Sequence, residues 1–302
     1  DPETAHNLAI KALKTNFIPV KVKNYECLKV KFLNKEIPNP IGIAAGFDKN
    51  AEVYNSLFKL GFGFVEVGTI TPLKQFGNPK PRVFRLEQDE ALINRLGFNN
   101  FGAENIRSRI RSNTPNGLLG VNIGPNSDTK DRLNDYLVCI KKFHDIADYI
   151  TINISSPNTE KLRDFHDQKK LDELLSVVCK QMRDLNSKTP IVVKISPDIL
   201  IEQVNEISEI ILKNEIKAII VSNTTEGNRE KLISTLKYQK GGLSGKPLET
   251  KSNELISKFY NSLNGKIPII GVGGVDSGKS AYDKFLAGAS LIQLYTGMVY
   301  VG

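Results

Sequence analysis

The chain has 302 residues, 40% hydrophobic and 25% charged, with a formal net charge of +8. This is a globular composition, long enough for a large core, and the length fits two domains or a single α/β barrel. There is no apolar run of the ~20 residues a membrane span needs, no signal peptide and no nucleic-acid recognition motif, and Cys27, Cys139 and Cys179 are too scattered for a disulfide or metal framework. The lysine-rich balance fits a solvated basic surface, an anionic ligand or an anionic membrane surface.

In chain order, a helix is expected first over 2–15, with Pro2 and Glu3 suited to its first turn and Ala5, Leu8, Ala9, Ala12 and Leu13 on one apolar stripe. A half-exposed strand follows, in which Leu28, Val30 and Phe32 alternate with Lys29 and Lys31. From residue 39 the pattern changes to short β-rich runs at 40–46, 64–70, 117–124, 148–155, 190–196, 217–223, 267–274 and 290–296. Amphipathic stretches such as 169–185 and 278–289 lie between most of them. Strands alternating with helices predict a parallel sheet, and eight of them predict a closed (β/α)8 TIM barrel. The interval 71–117 is too long for a plain connection. It predicts a lid inserted after the second strand, with a hairpin around "PRVFRLEQDEALIN". The C-terminus reads as ending just after the eighth strand, without a closing helix.

Barrel active sites sit at the C-terminal ends of the strands. Here those ends carry Gly46 to Lys49, Thr69, Asn122, Asn153 with Ser155 and Ser156, Lys194, Ser222 to Thr224, Gly273 with Gly274, and Tyr295 with Thr296. Each reads singly as a turn former, but together they describe a site for a flat, polar, anionic ligand. The glycines of "KGGLSGK", "GVGG" and "YTG" fit a phosphate cradle. No dinucleotide or P-loop signature is present, so the phosphate would belong to a mononucleotide or a sugar phosphate. Flavin mononucleotide (FMN) fits, with Lys194 placed to stabilise negative charge on its reduced ring. In "INISSPNT" Ser156 has no histidine or acid beside it, and by itself reads as readily as a turn serine before Pro157.

The stretches "NPIGIAAGFDKN", "GFGFVEVGTITP", "GNPKPRVFRL", "INRLGFNN", "INISSPNT", "SNTT", "GGLSGKPL", "GVGGVDSG" and "GASLIQLYTG" resemble the dihydroorotate dehydrogenases, and among them the quinone-reducing, membrane-associated class 2 enzymes. The resemblance runs over the whole chain. It implies a barrel at 21–302 that binds FMN and oxidises dihydroorotate to orotate in pyrimidine synthesis, preceded by a helical extension at 1–20. It implies a flavin site of Ala44, Ala45, Gly46, Thr69, Asn122, Asn153, Lys194, Ser222, Gly245, Gly274, Tyr295 and Thr296. It places orotate against Lys49, Asn94, Phe98, Asn153, Asn158, Asn223 and Thr224. Ser156 matches the catalytic base, with Thr159 as a proton relay and Phe98 as a shield. Class 1 relatives carry cysteine at the Ser156 position.

By the same resemblance, His6, Arg85 and Tyr295 match the lining of a quinone tunnel under the N-terminal helices. The first of those helices and the closing C-terminal helix lie outside the sequence as read. The expected partners are dihydroorotate or orotate, ubiquinone or menaquinone, and a membrane surface, with no metal and no nucleic acid. The expected state is a monomer, peripheral on the cytoplasmic side of a bacterial inner membrane or, alternatively, on the mitochondrial inner membrane. A soluble acceptor such as fumarate or NAD is the competing reading.

Overall fold

Short runs of Val, Ile and Gly flanked by amphipathic helices have no polar face to give to water, so they pair as parallel strands covered on both sides. The computed structural model describes residues 1–16, 22, 23, 25–33 and 35–301. Among them, eight parallel strands close into a barrel: β3 (Ile41–Ile43), β4 (Phe64–Ile70), β7 (Leu118–Ile123), β8 (Tyr149–Asn153), β9 (Ile191–Ile195), β10 (Ala218–Val221), β12 (Ile269–Val272) and β13 (Leu291–Leu294), which pairs back with β3. Each lies within one of the eight expected runs. The helices α2 (Tyr54–Lys59), α3 (Ala103–Ser112), α4 (Arg132–Phe143), α5 (Gln168–Asp184), α6 (Gln203–Lys213), α7 (Glu249–Leu263) and α8 (Gly278–Leu286) connect them. The larger core lies between these helices and the barrel wall.

A second core fills the barrel from its N-terminal end. Phe64, Leu118, Tyr149, Val192, Ala218, Ile220, Ile270 and Leu291 point inward, and Phe32 and Ile37 plug them from below. These two belong to a hairpin of β1 (Val30–Phe32) and β2 (Lys35–Ile37). The single strand expected there is instead a 3-10 turn at Glu26–Leu28 followed by this hairpin, and Leu28 is exposed. Gly120 is needed inside the barrel, since a Cβ there would lie 2.1 Å from the Tyr149 ring.

The 71–117 insertion forms the expected hairpin of β5 (Val83–Leu86) and β6 (Ala91–Asn94). A third strand, β11 (Gly242–Gly245), pairs with β6 from far along the chain. The glycines of "KGGLSGK" therefore belong in part to a lid sheet rather than to a simple loop. Leu86, Ala91, Ile93, Leu232 and Leu243 give this lid its own small core.

Helix α1 (Pro2–Lys14) forms as expected, capped by the Asp1 carboxylate on the backbone of Glu3 and Thr4. Its buried side differs from the expected stripe. His6, Ile10 and Leu13 turn inward, while Ala5, Leu8, Ala9 and Ala12 face out. Tertiary anchors set this rotation: Glu3 receives a two-pronged bond from Arg82 (2.6 and 3.1 Å), and Ser56 Oγ donates to Leu13 O at 2.7 Å. The boundary expected near residue 20 lies outside the described residues. After β13 the chain turns into a short helix, α9 (Thr296–Val301), where the sequence pattern predicts none.

Candidate active site

Side chains alternate along a strand, so the inward positions above the apolar plug continue upward at the same parity. Above Phe64 comes Glu66, above Tyr149 come Thr151 and Asn153, above Val192 comes Lys194, and above Leu291 comes Gln293. Glu66 is fully buried. Its carboxylate accepts from Asn122 Nδ2 (2.8 Å), Tyr149 OH (3.0 Å), Thr151 Oγ1 (3.1 Å) and Gln293 Nε2 (3.2 Å). A buried carboxylate is costly unless bonded in this way. Neither Glu66 nor Gln293 is among the expected site residues. The parity of β4 and β13, counted from Phe64 and Leu291, is the signal that finds them.

Above this layer a cavity of about 1370 Å³, part of it open to solvent, is bounded by the strand ends and the lid. Lys49, Asn94, Phe98, Asn153, Asn158, Asn223 and Thr224 all line it, and so does Ser156. Ala44, Ala45, Gly46, Thr69, Lys194, Ser222, Gly245, Gly274, Tyr295 and Thr296 share the same walls. Asn122 does not reach the cavity. It lies one layer below, where its Oδ1 accepts from Thr69 Oγ1 (2.7 Å) and Asn153 Nδ2 (3.1 Å) and so orients both. Thr159 is buried behind the wall, and His6 and Arg85 stand outside it. Asn99, Ser244 and Gly273 also line the cavity, and of these only Gly273 is marked by its place at a strand end.

Several polar groups here lack partners. Lys194 is 5% exposed, lines the cavity and makes no hydrogen bond to a described residue. Burial lowers its pKa, against the opposing pull of Glu66. The acceptors Asn99 Oδ1 and Gln293 Oε1 are buried and unpaired. Lys49 donates to Gly46 O at 2.5 Å, and burial brings its pKa down to about 8 against the opposing pull of Glu3. An uncommitted ammonium fits the edge of an electron-rich ring, and a second fits a carboxylate.

The glycines supply a recess of another kind. Gly274, at φ 76°, has its missing Cβ position 2.5 Å from Glu249 Cα, and at Gly297 that position is 2.2 Å from Val275 O. Only bare backbone fits there, which suits close approach of a phosphate tail. The donor set therefore fits a flavin with a phosphate-bearing tail.

The Ser156 loop is held on both sides. Asn158 N–H donates to Ser156 Oγ (3.2 Å), and Asn158 Nδ2 donates to Asn94 Oδ1 on the lid (3.3 Å). Phe98, at φ 53°, holds a left-handed backbone that a bulky residue seldom adopts, and it lines the cavity from the lid side. Among the described residues lining the cavity there is no histidine; the carboxylates are Glu90, bonded to Lys246, and Asp276, which accepts from Ser280 Oγ.

His166, which belongs to no motif that would make it a base, has both ring nitrogens committed. Nδ1 lies 3.0 Å from Arg163 O, and Nε2 accepts from Ser196 N–H at 3.1 Å. Burial lowers its pKa to about 4. The unfolded ring takes up a proton near 6.5 and the folded ring does not, so stability is full above 6.5 and is lost as pH falls towards 4. Urea unfolding should show the parent losing about 2 kcal/mol more than His166→Gln between about pH 7 and 5. Equal losses would remove this assignment.

At the other edge, His6, Phe47 and Tyr295 form an aromatic cluster. His6 is 5.3 Å from Phe47 and 6.3 Å from Tyr295 between ring centroids, and Phe47 is 5.6 Å from Tyr295. Burial lowers the pKa of His6 to about 4, so the cluster is uncharged at neutral pH. Arg85 stands apart, 5.8 Å over the Tyr300 ring.

The sequence model of the family described as dihydroorotate dehydrogenase matches residues 27–302. The chain is 46% identical to the dihydroorotate dehydrogenase (quinone) of Bartonella henselae, an alignment covering all of this chain and 84% of that protein. It is 45% identical to the Idiomarina loihiensis enzyme of the same name, covering all of this chain and 93% of that one. The crystal structure of the Eimeria tenella enzyme in complex with ferulenol superposes with a TM-score of 0.96 at 37% identity, over all of this chain and 88% of that one. With this barrel, this cavity and matches over nearly its whole length, the chain belongs to the dihydroorotate dehydrogenase family.

Proposed function

We propose that the chain is a quinone-linked dihydroorotate dehydrogenase that holds FMN against the polar ends of its barrel strands and oxidises dihydroorotate to orotate. The observation that carries this reading is one cavity lined by Ser156, by Lys49 with the amides of Asn94, Asn153, Asn158 and Asn223, and by Lys194 with Gly245 and Gly274. Members of this family work with a flavin, which when bound supplies a hydride acceptor and a two-electron store. Gly245, Gly274 and Thr296 would hold its phosphate tail, and Lys194, Thr69 and Asn153 its ring. Asparagine amides carry both donors and acceptors, so they satisfy a uracil-like edge without adding charge. Lys49 supplies the cation for the substrate carboxylate. Ser156 takes the proton from C5, Thr159 lies behind the cavity wall on the way out, and Phe98 keeps water from the reacting face.

For the second substrate, Val83, Leu294, Tyr295, Tyr300 and Val301 give the cavity an apolar wall near His6. We assign the quinone route to this side, with Arg85 at its edge. No helix among the described residues is long and apolar enough to cross a membrane. The outward face of α1, with Ala5, Leu8, Ala9 and Ala12 beside Lys11, suits docking of a single chain on an anionic membrane surface, bacterial or mitochondrial. In this reading residues 1–20 act as the docking extension and 21–302 as the catalytic barrel.

The test is spectroscopic. Dihydroorotate added without oxygen should bleach the flavin absorbance, and a ubiquinone analogue should restore it faster than fumarate or NAD. No bleaching rejects the function, and faster recovery with a soluble acceptor rejects the quinone assignment.

A further inference from the structure

Arg163 lies in the 3-10 turn Leu162–His166 that follows the Ser156 loop, outside the lining of the main cavity. Its guanidinium nevertheless reaches the loops after three different strands. Nε donates to Ser155 O (3.1 Å) after β8, Nη2 donates to Thr224 O (2.9 Å) after β10, and Nη1 donates to Asp198 Oδ2 (2.9 Å) after β9 and to Glu226 Oε2 (3.1 Å). Ser155 is the residue before Ser156, and Thr224 follows Asn223. Asn223 Nδ2 also donates to Ser155 Oγ (2.8 Å), so the two loops are linked directly as well.

Both ends of this clamp are anchored. Asp198 accepts from Lys251 Nζ and Thr225 Oγ1 and, at 2.9 Å, from Glu226 N–H. The backbone of Arg163 is fixed to the end of β9 through His166, whose ring bridges Arg163 O and Ser196 N–H. The turn is thus tied to a rigid strand while its side chain gathers two loops that face the substrate.

We propose that Arg163 is a positioning residue for proton abstraction, locking the Ser156 loop and the Asn223–Thr224 loop into one register so that the base and the groups holding the substrate ring share a frame. Only a planar fork meets two carbonyls and a carboxylate at once, and a lysine ammonium does not span them. Misplacement by about 1 Å costs on the order of a hundredfold in rate. The inference rests on Ser156 acting as the base.

The experiment is anaerobic stopped-flow on the flavin-loaded protein with Arg163→Gln and Arg163→Lys, following the two half-reactions separately. Both variants should reduce their flavin about 10- to 100-fold more slowly than the parent, with reoxidation by a ubiquinone analogue unchanged. The isotope effect from deuterium at C5 should rise relative to that at C6, and added guanidinium should restore part of the rate of Arg163→Ala. Reduction at the parent rate in a folded, yellow variant overturns the proposal, and so does an equal loss in both half-reactions. If Arg163→Gln does not fold, Asp198→Asn takes its place. It should slow reduction in the same sense, and an unchanged rate there also overturns the proposal. A parent protein that dihydroorotate does not bleach rejects the function, not the clamp.

Discussion

Ser156→Ala should leave a folded, yellow protein whose flavin dihydroorotate reduces roughly 10²- to 10⁴-fold more slowly, the usual worth of a positioned acid or base. Ser156 is 5% exposed, and its Oγ accepts one hydrogen bond, from the Asn158 backbone. No described residue accepts the hydroxyl proton directly, so for Ser156 to take the C5 proton its own must leave in the same step, outward along the Thr159 route. Alternative bases are poorly placed. His166 is committed at both nitrogens, and Glu90 and Asp276 are already bonded to Lys246 and Ser280. The acidity of the C5 proton, next to a carbonyl, keeps the demand on a weak base modest. Single-turnover reduction is the measurement, because quinone reoxidation bypasses Ser156 and should match the parent. Reduction at the parent rate would remove Ser156 from the chemistry. The cysteine variant is informative too: a thiolate forms at lower pH than an alkoxide, so Ser156→Cys should keep more activity than alanine and move the pH profile down.

What the sequence carries is the part of the site that is local. Asn153, Ser156 and Lys194 are legible because each lies within a few residues of an apolar run whose end is easy to see. Period-two alternation then decides which side chains enter the barrel. The features that escape it depend on contacts across the chain. The exposed stripe of α1 satisfies helical periodicity as well as the buried one does, and only the distant anchors, Arg82 on Glu3 and Ser56 on Leu13, decide the rotation. β11 has a glycine-rich sequence with no strand signal of its own; it becomes a strand because β6 presents an open edge. Arg163 looks like a surface arginine until three loops separated in sequence converge on it. Thr159 and Asn122 mark the intermediate case: motif resemblance points to them, but both stand one layer away from the cavity.

Removing the charge at Lys49 should have the second-largest effect, and on a different quantity. Lys49→Met keeps the length and apolar stem but leaves the substrate carboxylate without its cation. Losing one partner of a buried, hydrogen-bonded charge pair costs about 2–4 kcal/mol, or roughly 30- to 1000-fold in KM for dihydroorotate. The pH dependence separates this from a packing defect. Burial lowers the free ammonium to about 8, with Arg82 pushing it down and Glu3 and Asp48 pushing it up. The carboxylate binds the protonated form, so kcat/KM should be flat below about 8 and fall about tenfold per pH step above it. His6, which faces Lys49, titrates near 4 and leaves that window undisturbed. The methionine variant should lose this alkaline limb altogether, with the rate of quinone reoxidation retained. An unchanged KM, or an alkaline limb that survives the substitution, would place the carboxylate on another group in the cavity. Lys194 is the other buried ammonium there, and Lys194→Met would then carry the KM effect.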